Sequence, residues 1–187
     1  MKSKALIIVS AVVLLFSCNS KNISEATYAE FQKMGNEISS NVQSVLLANV
    51  GQAMQTGGSL YAVEFCNLEA SNIIDSLNKV NNCVISRVSD KNRNPENNLQ
   101  TRIEKDLWKI FETGNVTDTL VQQQNKLVFY KSIKTGLPAC LKCHGYPHSD
   151  IEPATFEKIQ QLYPADLATG YKLNDFRGLW KIEFSVE

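Results

Sequence analysis

At 187 residues, with 43% hydrophobic and 20% charged residues, the chain suits one globular domain with its own core. Basic and acidic residues balance at 19 each, so no cationic footprint speaks for a nucleic-acid partner.

The chain opens with Lys2 and Lys4, followed by an apolar stretch from Ala5 to Phe16 broken only by Ser10. A membrane span needs about 20 such residues, so this segment is too short to cross and fits the core of a signal peptide. It ends in Leu15-Phe16-Ser17-Cys18, which resembles a bacterial lipobox, although Phe16 is bulkier than usual there. We therefore expect a signal peptide over residues 1–17, a lipidated tether over 18–24 with the lipid on Cys18, and a domain over 25–187. Such a domain faces an extracytoplasmic space, on the periplasmic side, where disulfides are permitted. A lipid anchor would hold it on a bacterial membrane without spanning it.

From Ser24 to Gln55, the residues Tyr28, Phe31, Met34, Ile38, Val42 and Val45 recur at intervals of three and four, which predicts a helix capped by Ser24. Gly57-Gly58 ends it, and a second helix is expected from Ser59 to Asn78, with Ala62, Phe65, Cys66, Ile73 and Leu77 near one side. Asn81-Asn82 reads as a turn and Cys83 to Ser89 as a strand. Asn94-Pro95 reads as a cap and first helical residue, of a helix running to Phe111 and stopping at Gly114. Lys126 to Ile133 has strand formers, with Phe129 and Lys131 facing away from Val128 and Tyr130. Gly136 and Pro138 then break the chain, Pro153 to Leu162 reads as a short helix, and Leu179 to Val186 alternates cleanly as a final strand. The pattern predicts an α+β fold with a small antiparallel sheet.

The chemistry-bearing stretch is Ala139-Cys140-Leu141-Lys142-Cys143-His144-Gly145. Two thiols at this spacing can add across the two vinyl groups of one haem, and the next residue, His144, then lies under the iron as axial ligand. That attachment is made outside the cytoplasm, in agreement with the signal segment. A redox dithiol would open a helix in a βαβ setting, whereas this motif follows a strand and a Gly/Pro break. A zinc site needs four ligands, and Cys66, Cys83 and His148 offer no second close pair.

The ligand on the second face of the iron is left open by spacing alone. His148 lies four residues beyond His144, a reach of at most about 14 Å, and would have to pass around the porphyrin edge. Met34 and Met54 would give His/Met ligation, but methionine on a helix also serves as core filler. Cys66 and Cys83 are the other soft donors, with a mutual disulfide as the competing reading. Arg87 and Arg93 are candidates to hold haem propionates through paired guanidinium–carboxylate hydrogen bonds, against ordinary salt bridging. Tyr130, Tyr171 and Trp108 would wall the pocket or belong to the core.

Four blocks resemble a known family. They are Gly57-Gly58 with Ala62-Val63-Glu64-Phe65-Cys66; Arg87-Val88-Ser89 with Arg93-Asn94-Pro95-Glu96-Asn97; Cys140 to Gly145; and Tyr163-Pro164, Ala168-Thr169-Gly170-Tyr171 and Asp175-Phe176-Arg177-Gly178. In this order they resemble the single-haem c-type domains first recognised in a cyanobacterial Tll-type protein. The resemblance implies a PAS-like antiparallel sheet flanked by helices, with a long N-terminal helix and one covalent haem c. It also implies axial ligation by His144 and Cys66, and leaves Cys83 as a buried strand residue. The chain departs from the family in having Ala70-Ser71 where Ala-Pro is usual, and in the later place of Trp108.

These readings lead to a membrane-tethered, extracytoplasmic cytochrome that transfers single electrons to a redox partner protein and is not an enzyme. The alternative is a haem-based redox or gas sensor working with a separate signalling partner.

Overall fold

The structure is a computed structural model and describes residues 23–186. The expected signal peptide and the lipid site at Cys18 lie outside the described residues. No helix among the described residues is long and apolar enough to cross a membrane.

The first element, α1 (Glu25–Asn81), holds both expected helices. Ser24 caps it by accepting a hydrogen bond from Thr27 N–H, and Asn82 ends it in the left-handed region. Its helical geometry fails only at Gly57 and Gly58. Gly58, at φ 70° and ψ −165°, holds a conformation that side-chain-bearing residues avoid. The glycines therefore act as a kink between two arms, 25–56 and 59–81, and not as a loop.

Strand β1 (Val84–Val88) follows. The expected long helix from Pro95 is corrected: Asn94 does cap Pro95, but the turn stops after Pro95–Asn97. Helix α2 (Arg102–Glu112) starts again from its own capping box, Thr101 with Glu104. Strands β2 (Asp118–Gln123) and β3 (Lys126–Lys134) form a hairpin. Then come α3 (Pro138–His144), α4 (Pro153–Leu162) and β4 (Phe176–Ser185). The sheet is antiparallel with order β1-β4-β3-β2. The fold is α+β as expected, with a long N-terminal helix.

The sheet has helices on both faces, so its central strands alternate between two apolar layers. On one face Ile38 and Val42 of α1 pack on Leu127, Phe129, Ile182 and Phe184. Gly35 lets the helix settle here, because a Cβ would overlap the Phe129 ring. On the other face Trp108 and Phe111 of α2 pack on Val128, Tyr130 and Leu179. The alternation read from Phe129 and Tyr130 is thus the division between the layers. It also assigns Trp108 and Tyr130 to the core. Each such buried side chain contributes roughly 1.5–3 kcal/mol through apolar burial.

The third cluster positions the site. Val63, on the second arm of α1, packs with Ile151 and Ile159, and Cys143 leans on the same cluster. A buried Ser59–Thr155 hydroxyl pair, 2.7 Å apart, ties α4 to the α1 arm just after the kink. The helix bearing Cys66 and the helix bearing Cys143 are therefore braced by one small core.

Candidate functional site

The motif that broke the sequence pattern is itself helical. Pro138 stands at the first position of α3, where its missing N–H costs nothing, and the helix carries Cys140, Cys143 and His144. Gly145 closes it, and a Cβ there would collide with Asp150 and the Leu141 carbonyl. The setting is an antiparallel sheet and not the βαβ unit of a redox dithiol. Burial pushes the Cys143 thiol up to about 11, with Arg93 pulling the other way, so it is a poor nucleophile as it stands.

Between α3, α1 and one end of the sheet lies a cavity of about 470 Å³. Cys140, Cys143 and His144 line one side, and Cys66 lines it from α1. Met54 also lines it, whereas Met34, also on α1, packs against the core between α1 and the sheet. A smaller cavity of about 210 Å³ adjoins it at Cys66 and Arg87. Cys83 is buried within the α1-face core, and the four described cysteines are free thiols, so the Cys66–Cys83 disulfide does not form. No cluster of three or more histidine, cysteine or acidic side chains that could hold a metal ion occurs among the described residues. His148 is not part of the cavity lining, and its ring lies 5.4 Å from that of Phe156 in a T-shaped contact.

His144 has a defined orientation. Its Nδ1 lies 2.8 Å from the Ala168 carbonyl oxygen, which fixes the proton on Nδ1 and leaves Nε2 with a lone pair. Burial, then the charges of Arg93 and Arg177, hold the ring well below its ordinary pKa despite that hydrogen bond. The ring is therefore a neutral donor, the form a metal requires. Burial pushes the Cys66 thiol up, and Arg87 and Arg93 oppose this.

The cavity is electrostatically one-sided. Arg87, Arg93, Lys134 and Arg177 line it, and among the described residues no Asp or Glu does. Arg93 is held by Asp166 through Nε and Nη2, at 3.1 and 3.2 Å. Arg87 sits over the Trp180 ring at 5.8 Å and has no hydrogen-bond or ion-pair partner among the described residues. Arg177 donates from Nη1 to Ser89, while its buried Nε has no partner. Burial lowers both Arg87 and Arg177 from their ordinary values.

The structure thus brings Cys66, Arg87, Arg93, Cys140, Cys143 and His144 to one cavity. Sequence reading missed Arg177, although it lies in one of the quoted blocks, and it missed Asp166 and the Ala168 carbonyl. Tyr171 is not in the cavity lining; its ring lies edge-on to His144, between Lys91 and Arg177.

Fold and site define an α+β module built around a cation-lined cavity with a C-x-x-C-H helix on its wall. The chain belongs to the Tll0287-like family, whose model matches residues 18–185. Among solved structures it resembles the crystal structure of the cyanobacterial haem protein Tll0287, with a TM-score of 0.65 and 18% sequence identity, over 84% of this chain and 95% of that one. At that identity the likeness speaks for the fold. A comparison with curated proteins gives no significant match.

Proposed function

We propose that this protein is an extracytoplasmic, lipid-anchored cytochrome holding one covalent haem c and passing single electrons to a redox partner protein. The observation that carries this is the pairing of a C-x-x-C-H helix with a cavity whose Arg87 and Arg177 guanidinium groups keep unused donors. A haem brings two vinyl carbons for two thiols, an iron for a neutral imidazole, and two carboxylates for unpaired cations. The residues present fit each of these demands.

Cys140 and Cys143 would hold the haem through thioethers, and His144 would offer Nε2 to its iron. Cys66 would hold the iron from α1. Its sulfur must lose a proton to bind, and the nearby Arg87 and Arg93 charges favour that loss while burial opposes it. Arg87, Arg177 and the remaining donors of Arg93 face the propionates. The haem supplies the one-electron couple; the chain holds it, screens it from water and sets its charge environment.

A second reading, a redox or gas sensor, draws on the kink. Gly57 and Gly58 lie eight or nine residues before Cys66, so the arm carrying the ligand has a joint at its base. A softer ferrous iron holds thiolate less well, and a freed site would admit carbon monoxide.

The test is a spectrum of the full-length protein, made in a host that attaches haem c, in both redox states. Colour that stays with the protein through acid–acetone treatment supports covalent haem, and colour extracted from it rejects the proposal. A ferrous spectrum unmoved by carbon monoxide favours the carrier; rapid gas binding favours the sensor. Cys66→Ala should change the ferric low-spin resonance signal if the thiolate is a ligand.

A further inference from the structure

His144 depends on a backbone carbonyl, and the structure shows what holds that carbonyl. Ala168 is fully buried in the segment between α4 and β4. That segment lies against the end of α3: Gly170 N–H donates to the Gly145 carbonyl at 2.8 Å, and Tyr171 N–H to the His144 carbonyl at 3.0 Å. Asp166 starts the turn by accepting from Ala168 N–H at Oδ1, 2.9 Å away. The same carboxylate grips Arg93, and this pair is well shielded, with side-chain exposures of 14% for Arg93 and 7% for Asp166. Arg93 Nη2 reaches on to the Cys143 carbonyl at 2.7 Å and to the Ala168 carbonyl at 3.4 Å.

One guanidinium therefore joins the loop that accepts from the imidazole to the helix that carries the imidazole. Its planar fork addresses Asp166 with two donors and the carbonyls with one, a geometry a lysine ammonium lacks. The carbonyl at 2.8 Å from Nδ1 decides which ring nitrogen carries the proton, and its distance sets how much electron density the ring can donate.

We propose that the Arg93–Asp166 pair is a positioning device for His144: it locks the Ala168 carbonyl against Nδ1 and so fixes the direction and donor strength of Nε2. This rests on the haem reading and assigns Arg93 a principal task different from propionate binding. Arg93 and Asp166 act through His144 and Ala168 and are positioning residues.

The experiment uses full-length protein from a haem-attaching host: wild type, Asp166→Asn, Asp166→Glu and Arg93→Lys. Each is measured for covalent haem on a denaturing gel, for the g values of the ferric resonance signal, and for midpoint potential. Cys140, Cys143 and His144 are intact in all four, so the gel gives each variant's loading and the other two readings are taken on its haem-loaded fraction. Arg93→Lys and Asp166→Glu keep both charges but break the geometry, so they should shift the g values and raise the potential without any change in net charge. Asp166→Asn should shift the g values further, and its potential should rise more. Haem-loaded Arg93→Lys and Asp166→Glu with wild-type g values and potential overturn the proposal, even if Asp166→Asn fails to accumulate. A wild-type protein without covalent haem instead defeats the haem reading beneath it.

Discussion

On the α2 face of the sheet, Lys181 lies 3.0 Å from Glu104 and 2.9 Å from Glu183, and Lys126 lies 2.6 Å from the other Glu183 oxygen. The second oxygen of Glu104 accepts from the Gln100 and Thr101 N–H groups at 2.7 and 2.9 Å. Two lysines and two glutamates close on each other there. On the cavity side four cations converge, and among the described residues only Arg93 meets a carboxylate, one that stands behind the lining. Burying a charge costs free energy unless a partner is supplied. The first group finds its partners within the chain and serves folding. The second leaves Arg87 and part of Arg177 unanswered among the described residues, as the proposed anionic ligand would require.

Breaking the closed group should have the largest effect on stability. Glu104 is 1% exposed, so Glu104→Ala leaves Lys181 with Glu183 alone and takes the side-chain acceptor from two backbone donors. A loss of about 2–5 kcal/mol is expected from urea unfolding, roughly 1–3 kcal/mol for each donor left unsatisfied. A loss below about 1 kcal/mol would mean that the four charges are not coupled to folding.

The same group predicts a pH profile. Burial alone would raise the Glu104 pKa, but the Thr101 N–H, Lys181 and the Gln100 N–H outweigh it and hold it below the ordinary value. Glu183 is likewise held down by Lys126 and Lys181 against its burial. Depressed carboxyls stabilise the fold above the unfolded value of about 4.3 and lose that contribution as pH falls through their folded values. Lys181 is raised by Glu183 and Glu104 against its own burial, so its contribution is full below about 10.4 and fades as pH climbs through its folded value. Thermal melts between pH 2 and 11 should show both limbs in wild type. Glu104→Gln should flatten the acid limb, and an acid limb unchanged by it would place the acid sensitivity elsewhere.

A medium effect tests packing, which both faces share. Gly35→Ala puts a methyl group into the Phe129 ring, and separation of α1 from β3 should cost about 1–3 kcal/mol by the same unfolding assay. This position lies in the α1-face core, so the loss should appear with or without bound haem.

These differences also mark what the sequence discloses. Apolar alternation in β4 was readable because Trp180, Ile182 and Phe184 all enter one core. β2 was not, since Leu120 is the one fully buried residue of Asp118–Gln123 and the strand is defined by its pairing with β3. Pro138 reads locally as a breaker, yet at a first helical position it starts α3. The chance to extend a helix from Pro95 was lost to the stronger Thr101–Glu104 box downstream. Spacing pointed to Cys140, Cys143 and His144, the family resemblance pointed to Cys66, and all four line one cavity. Arg177 and Asp166 carry no local pattern; their tasks exist only once β4 and the 166–171 segment meet α3 and Arg93. Charge identity is written in the sequence, but charge partnership is made by topology.

The smallest effect is the sharpest test of the contrast. Arg87 has no polar partner among the described residues, and its ring contact with Trp180 at 5.8 Å is long. In a haem-free chain, made with Cys140→Ser and Cys143→Ser, the further change Arg87→Met should leave unfolding free energy within about 0.5 kcal/mol. Burial even favours the apolar side chain there. If Arg87 holds a haem propionate as proposed, the same substitution in the haem-loaded protein removes a charge-assisted hydrogen bond worth about 1.5–3 kcal/mol, and the loss should appear only when haem is present. Equal losses in the two backgrounds would show that Arg87 has a partner inside the chain, and the distinction between closed and waiting charges would fall with it.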